Sequence, residues 1–160
     1  MPILPRKGIL AIAAVVDIAL HDGDAPVSAK TLAVRHGLPP RHLEPVLQAL
    51  VRDGILKGIR GPGGGYQLAR KADTVTFRDI IEAVEGPITL NVCTDGSSSC
   101  ALQPTCRMYR VWEKGQRVLL EVFSDTSLAE IAASRPAPPV VCAPTDSVKG
   151  ALSSAKSGAA

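Results

Sequence analysis

The stretch Gly58-Ile59-Arg60-Gly61-Pro62-Gly63-Gly64-Gly65-Tyr66-Gln67-Leu68 constrains this chain more than any other. It joins two short apolar runs, Ile55-Leu56 and Tyr66-Gln67-Leu68, through glycines and one proline, which is the pattern of a β-hairpin whose tip is poor in Cβ atoms. Such a tip can bring its backbone very close to another surface. With Arg60 at its entry and Arg70-Lys71 at its exit, it suits a narrow DNA groove. A plain surface turn is the alternative. A phosphate-binding loop is excluded, because no helix opening with Lys-Ser or Lys-Thr follows the glycines.

The residues before the hairpin favour DNA. Arg6 to Leu20 carries Ile9, Leu10, Ile12, Ala13, Val16, Ala19 and Leu20 at helical spacing. Ser28 is a natural N-cap for a second helix bearing Leu32 and Ala33, and Gly37 stops it. A third helix runs from about Pro40 to Asp53, with Leu43, Val46, Leu47, Leu50 and Val51 on its apolar side. Helix, glycine turn, helix and basic hairpin is the order of a winged helix-turn-helix. The third helix is then expected in the major groove, with the hairpin as the wing. On that helix Arg41, His42, Glu44 and Gln48 are the exposed residues able to read base edges: Arg can bond guanine, Gln adenine, and Glu cytosine N4. Ser28, Arg60, Gly61, Pro62, Gly63, Gly64, Gly65, Tyr66 and Lys71 complete the expected DNA contacts. Pro45 sits awkwardly in the reading helix, since it removes one backbone donor.

Charge is divided in the same way. From Met1 to Ala72 ten Lys/Arg stand against five Asp/Glu, whereas from Asp73 to Ser134 five stand against nine. The first half is therefore expected to meet a polyanion and the second to do something else; a charged face that is merely solvated is the alternative. Five aromatic residues serve the whole chain, so the core must be aliphatic, which favours helices. Ile9 to Leu20 is too short to span a bilayer and runs into His21-Asp22-Gly23-Asp24 without a cleavage site. A cytoplasmic protein with no membrane partner is expected.

Beyond the wing, Thr76-Phe77-Arg78-Asp79 has the form of a capping box and opens a short helix closed by Gly86-Pro87. Cys93 to Cys100 is a polar loop. From Cys106 onward Met108, Val111, Trp112, Gly115, Val118, Leu119, Val122 and Phe123 recur every three or four residues, predicting a long amphipathic helix that ends near Ser124-Asp125. So small a chain has little left to cover that helix, so pairing with a second copy is expected; folding back on the first helix is the alternative. Thr126 to Ile131 is expected to be a short capped helix. The fold class is thus mainly α with a small β-hairpin wing, a winged helix-turn-helix plus a long C-terminal dimerisation helix. Residues 1–87 are expected to form the DNA-binding domain, 88–134 the cysteine loop and dimerisation helix, and 135–160, rich in Pro, Ala and Ser, a disordered tail.

Cys93, Cys100 and Cys106 lie within fourteen residues, separated by six and then five positions. The spacing is not that of zinc sites, which want a pair two to four residues apart. In a reducing compartment, three clustered thiols point to a metal or redox role, with an iron–sulfur cluster the leading option. No Cys-x-x-Cys and no histidine beside a cysteine is present, which argues against a thiol enzyme.

Arg60-Gly61-Pro62-Gly63-Gly64-Gly65-Tyr66, the stretch Asp79-Ile80-Ile81-Glu82-Ala83-Val84-Glu85-Gly86-Pro87 and the three cysteines together resemble the IscR/NsrR/RirA-type family of winged-helix regulators, over about residues 4 to 132. The resemblance implies a homodimeric transcription factor on a near-palindromic double-stranded operator, with Arg41, His42 and Glu44 on its recognition helix. It also implies an iron–sulfur cluster, [2Fe–2S] in preference to [4Fe–4S], on Cys93, Cys100 and Cys106, whose loss, reduction or nitrosylation changes DNA affinity. One member of that family has a histidine ligand three residues after the last cysteine, where this chain has Tyr109; others use a carboxylate near the first helix, where this chain has Ile9. Tyr109, Asp95, Cys142, a small thiol or water are the candidates for the fourth position. The expected function is a regulator, such as a repressor, gated by the cluster; a regulator gated by thiol oxidation or by a bound ligand or partner is the alternative.

Overall fold

The computed structural model describes residues 5–23, 25–95 and 100–134. Six helices and one hairpin follow in the order α1 (Arg6–Leu20), α2 (Ala29–Arg35), α3 (Pro40–Arg52), β1 (Leu56–Ile59), β2 (Gly65–Leu68), α4 (Phe77–Glu85), α5 (Tyr109–Asp125) and α6 (Leu128–Ala133). The expected tail and Cys142 lie outside the described residues.

The core is aliphatic, as the shortage of aromatics requires. Ala11, Ala14, Val15 and Ile18 of α1 meet Leu32 of α2, Leu43, Leu47 and Leu50 of α3, Ile55 and Leu56, and Ile80 of α4, all fully buried or nearly so. Small residues on α1 let α4 come close. The Gly8 amide donates to Glu85 Oε1 at 3.0 Å, joining the start of one helix to the end of the other. Leu128 of α6 is completely buried in this same core, so the chain returns to its first half after α5.

Local chemistry sets the helix ends. Both α2 and α3 stop at a glycine in the left-handed region, Gly37 (φ +62°) and Gly54 (φ +74°). In each, the amide two positions past the cap reaches back to the last full turn: Leu38 N to Ala33 O at 2.9 Å and Ile55 N to Leu50 O at 3.0 Å. Thr76 and Ser127 cap α4 and α6 reciprocally with Asp79 and Glu130. Hydrogen bonds to Ser127 hold the Glu130 carboxyl below its ordinary value of 4.5. One long-range polar knot joins α1 to the end of α2: the nearly buried Asp17 carboxylate accepts from Arg35 Nη1 at 2.5 Å and from His36 Nε2 at 3.1 Å.

The long helix begins at Tyr109 and not at Cys106. Cys106 itself is extended (φ −73°, ψ 113°), and a single 3₁₀ turn, Gln103–Thr105, precedes it. A proline at position 104 sits in the opening of that turn, and Met108, already in the right-handed helical region, is the cap from which α5 starts.

Candidate nucleic-acid interface

Helix α3 buries Leu43, Val46, Leu47 and Leu50 and turns Arg41, His42, Glu44, Pro45 and Gln48 to solvent. The apolar residues repeat every three or four positions, so the remaining positions must share the opposite face. Arg41, His42, Glu44 and Gln48 have no ion-pair partner among the described residues, which leaves their polar heads available to base edges. The helix starts without a side-chain cap at Pro39, with Pro40 in its first position.

The wing pairs Leu56 with Leu68, Lys57 with Gln67, Gly58 with Tyr66 and Ile59 with Gly65. Its glycines have two separate causes. Gly61 and Gly63 lie at φ +103° and +80°, where side chains are strained. Gly64 and Gly65 are forced by contact: a Cβ on Gly64 would sit 2.3 Å from the Ile59 carbonyl oxygen, and one on Gly65 would sit 2.5 Å from that of Val27. The second contact arises because Val27 bridges to Tyr66, with Val27 N to Tyr66 O at 3.0 Å and Tyr66 N to Val27 O at 2.9 Å. The close approach expected of the tip is thus made first within the chain itself. Arg60 and Lys71 are exposed at the two ends of the hairpin region and carry no ion pair among the described residues.

Ser28 is less available. Its hydroxyl accepts from the Thr31 amide at 3.0 Å and lies 2.8 Å from the Thr31 hydroxyl. Tyr66 is half-buried and packs against the core.

Cys93, Cys100 and Cys106 are free thiols, each partly exposed. Cys93 lies in the 3₁₀ turn Val92–Thr94, while Cys100 and Cys106 flank the turn Gln103–Thr105. Among the described residues no set of three His, Cys, Asp or Glu side chains is gathered to hold a metal ion. The segment is fastened to α5 by Gln116, the one buried residue of that helix: its Oε1 accepts from Leu90 N at 2.7 Å and its Nε2 donates to Ile88 O at 2.5 Å. The other face of α5 is bare, with Val111 70%, Val118 46% and Val122 56% exposed. Leu90, Gly115 and Leu119 continue this apolar surface.

Residues 4–134 match the family described as Rrf2, iron-dependent transcriptional regulator. The chain belongs to the Rrf2 family.

Relatives and solved structures agree with that assignment. The chain is similar to the HTH-type transcriptional regulator IscR of Erwinia tasmaniensis, with 30% identity over 128 residues, covering 80% of this chain and 77% of that protein. Its fold is similar to that of CymR, the global cysteine regulator of B. subtilis, at a TM-score of 0.72 and 28% identity, covering 85% of this chain and all of the other. It is also similar to T. potens IscR, at a TM-score of 0.64 and 30% identity over 84% of this chain and 93% of that one. This Rrf2 chain is therefore a transcriptional regulator with a winged helix-turn-helix fold. No described helix is long and apolar enough to cross a membrane.

The Rrf2 chain brings Arg41, His42, Glu44 and Gln48 onto one exposed helix and the residues from Arg60 to Gly65 into one hairpin. It does not bring the three cysteines into a ligand set, because spacing along the chain limits how far apart they can be without making them converge. Two contributors escaped sequence reasoning. Gln116 is signalled only by an amide amid a valine- and leucine-rich helix, and Val27 by nothing local, since its role depends on a bridge across nearly forty residues of chain.

Proposed function

We propose that this Rrf2 regulator binds double-stranded DNA as a homodimer, reading a near-palindromic operator with the exposed face of α3 while the wing engages the neighbouring backbone. The observation that carries the reading is the unpaired polar face of α3 beside a basic, glycine-tipped wing. Arg41 is assigned to a base edge and Arg60 and Lys71 to phosphates. The bare valine face of α5 is the surface offered to the second copy, and a two-fold pair would present two α3 helices to successive half-sites.

We further propose that DNA affinity is gated at the cysteine segment, with Cys93, Cys100 and Cys106 as ligands of an iron–sulfur cluster. The donors suit it in kind, being three free, partly exposed thiols on one short segment; they are not gathered, so no coordination geometry follows. When bound, such a cluster would supply sensitivity to iron supply, redox state or nitric oxide. Gln116 holds the segment against α5, so a change there reaches the helix that sets the separation of the two α3 helices. The partial exposure and separation of the thiols favour a second reading, in which thiol oxidation is the signal.

Absorption spectra with iron and sulfide analysis on protein purified without oxygen test the choice. A brown protein that loses colour and changes DNA affinity on Cys100→Ser supports the cluster. A colourless protein whose DNA binding responds to oxidant assigns the gate to the thiols.

A further inference from the structure

Pro45 lies inside α3 yet contributes nothing to its packing. It is exposed and lies outside the hydrophobic core. A proline there removes the amide that would bond the Arg41 carbonyl and crowds that carbonyl with its ring, both of which disfavour a helix interior. A local rule broken without a structural return marks a functional position.

Its place on the helix says which function. Arg41, Pro45, Gln48 and Arg52 follow at intervals of four, three and four, so they form one stripe, and all are exposed. Arg41 and Gln48 are about 10 Å apart along the axis at 1.5 Å per residue, a distance of about three base steps. Pro45 stands between them as an apolar patch on an otherwise polar reading surface. It has no side-chain donor or acceptor, so it cannot distinguish bases by hydrogen bonding. The major groove presents one apolar feature, the 5-methyl group of thymine.

We infer that Pro45 reads a thymine methyl group, placed in each half-site between the base pairs contacted by Arg41 and Gln48. The inference rests on α3 being the recognition helix. The proline ring is rigid and pre-formed, so the contact freezes no side-chain rotors. Burying one methyl contributes about fourfold in affinity, the equivalent of ~0.8 kcal/mol.

The test uses the full chain and a duplex enriched from a random library by that chain. Each thymine of a half-site is replaced in turn by uracil, which removes only the methyl, and affinity is read by fluorescence anisotropy. The expected result is one position per half-site at which uracil weakens binding about fourfold, with the loss abolished in Pro45→Ser and largely retained in Pro45→Ala, which keeps an apolar group and restores the amide. Insensitivity of the unmodified chain to every uracil, or the same sensitivity in Pro45→Ser, would overturn the inference while leaving DNA recognition by α3 intact. Retention in neither variant, with both folded by circular dichroism, would reassign the effect to the proline's constraint on the helix backbone and overturn it too. Failure to enrich any duplex would overturn both the inference and the DNA-binding reading beneath it.

Discussion

Helices α3 and α5 carry the same kind of apolar repeat and use it in opposite directions. In α3 the stripe of Leu43, Val46, Leu47 and Leu50 is buried and the polar face looks outward. In α5 Val111, Val118 and Val122 look outward, and the residue turned in is Gln116. Periodicity therefore establishes that a helix has an apolar stripe but not which surface covers it. For α3 the covering comes from α1, α2, β1 and α4, all reached by short connections. Helix α5 packs on α4, where Phe123 meets Phe77 edge-on at 4.8 Å between ring centres, and on the Val92–Thr94 turn, leaving its valine stripe bare.

The contrast can be broken from either helix. Val118→Glu places a charge in the bare stripe of α5; the protein is expected to stay folded by circular dichroism, sediment as a monomer and lose DNA affinity by about 10² or more, the avidity of two linked sites. An unchanged dimer would move the pairing surface elsewhere. Leu47→Ala, at the fully buried centre of the α3 stripe, is expected to lower unfolding free energy in urea by about 2–5 kcal/mol without altering the sedimentation of the folded fraction. Gln116→Ala strands the Leu90 amide and the Ile88 carbonyl, so a loss of about 1–3 kcal/mol is expected, with faster hydrogen exchange confined to the segment from Ile88 to Thr94. A global increase in exchange would show that Gln116 supports the whole body and not the segment alone.

The smallest effect concerns acid. Glu130 is held below its ordinary value in the folded state, so its stabilising contribution is complete above about 4.5 and fades as pH falls through the lower folded-state value. Glu130→Gln should remove that part of the acid dependence of thermal unfolding and leave the neutral range nearly unchanged.

Features written in neighbouring residues are legible from the chain alone. The glycine stop at Gly37, the capping residues Ser28 and Thr76, and the hairpin all depend on chemistry within a few positions. The start of α5 is the exception, since the helical repeat is expected from Cys106 onward but Cys106 takes an extended conformation ahead of Tyr109. What stays hidden depends on distance along the chain. Asp17 meeting Arg35 and His36, Leu128 returning to the core and Val27 bridging to Tyr66 are products of the whole fold. The cysteines belong with them, because three sulfurs near in sequence leave their mutual positions open.

The bridge from Val27 to Tyr66 carries a mechanical consequence. It sews the hairpin to the residue before Ser28 and α2, at a point where Gly65 leaves no slack for a side chain. A wing fastened in this way is tied at its base to the segment that leads into α2 by two backbone hydrogen bonds, so its base and the helices are expected to move together. In the proposed pair, a signal reaching this joint would then turn the wing's base and the helices together relative to the twin, as one turns a key.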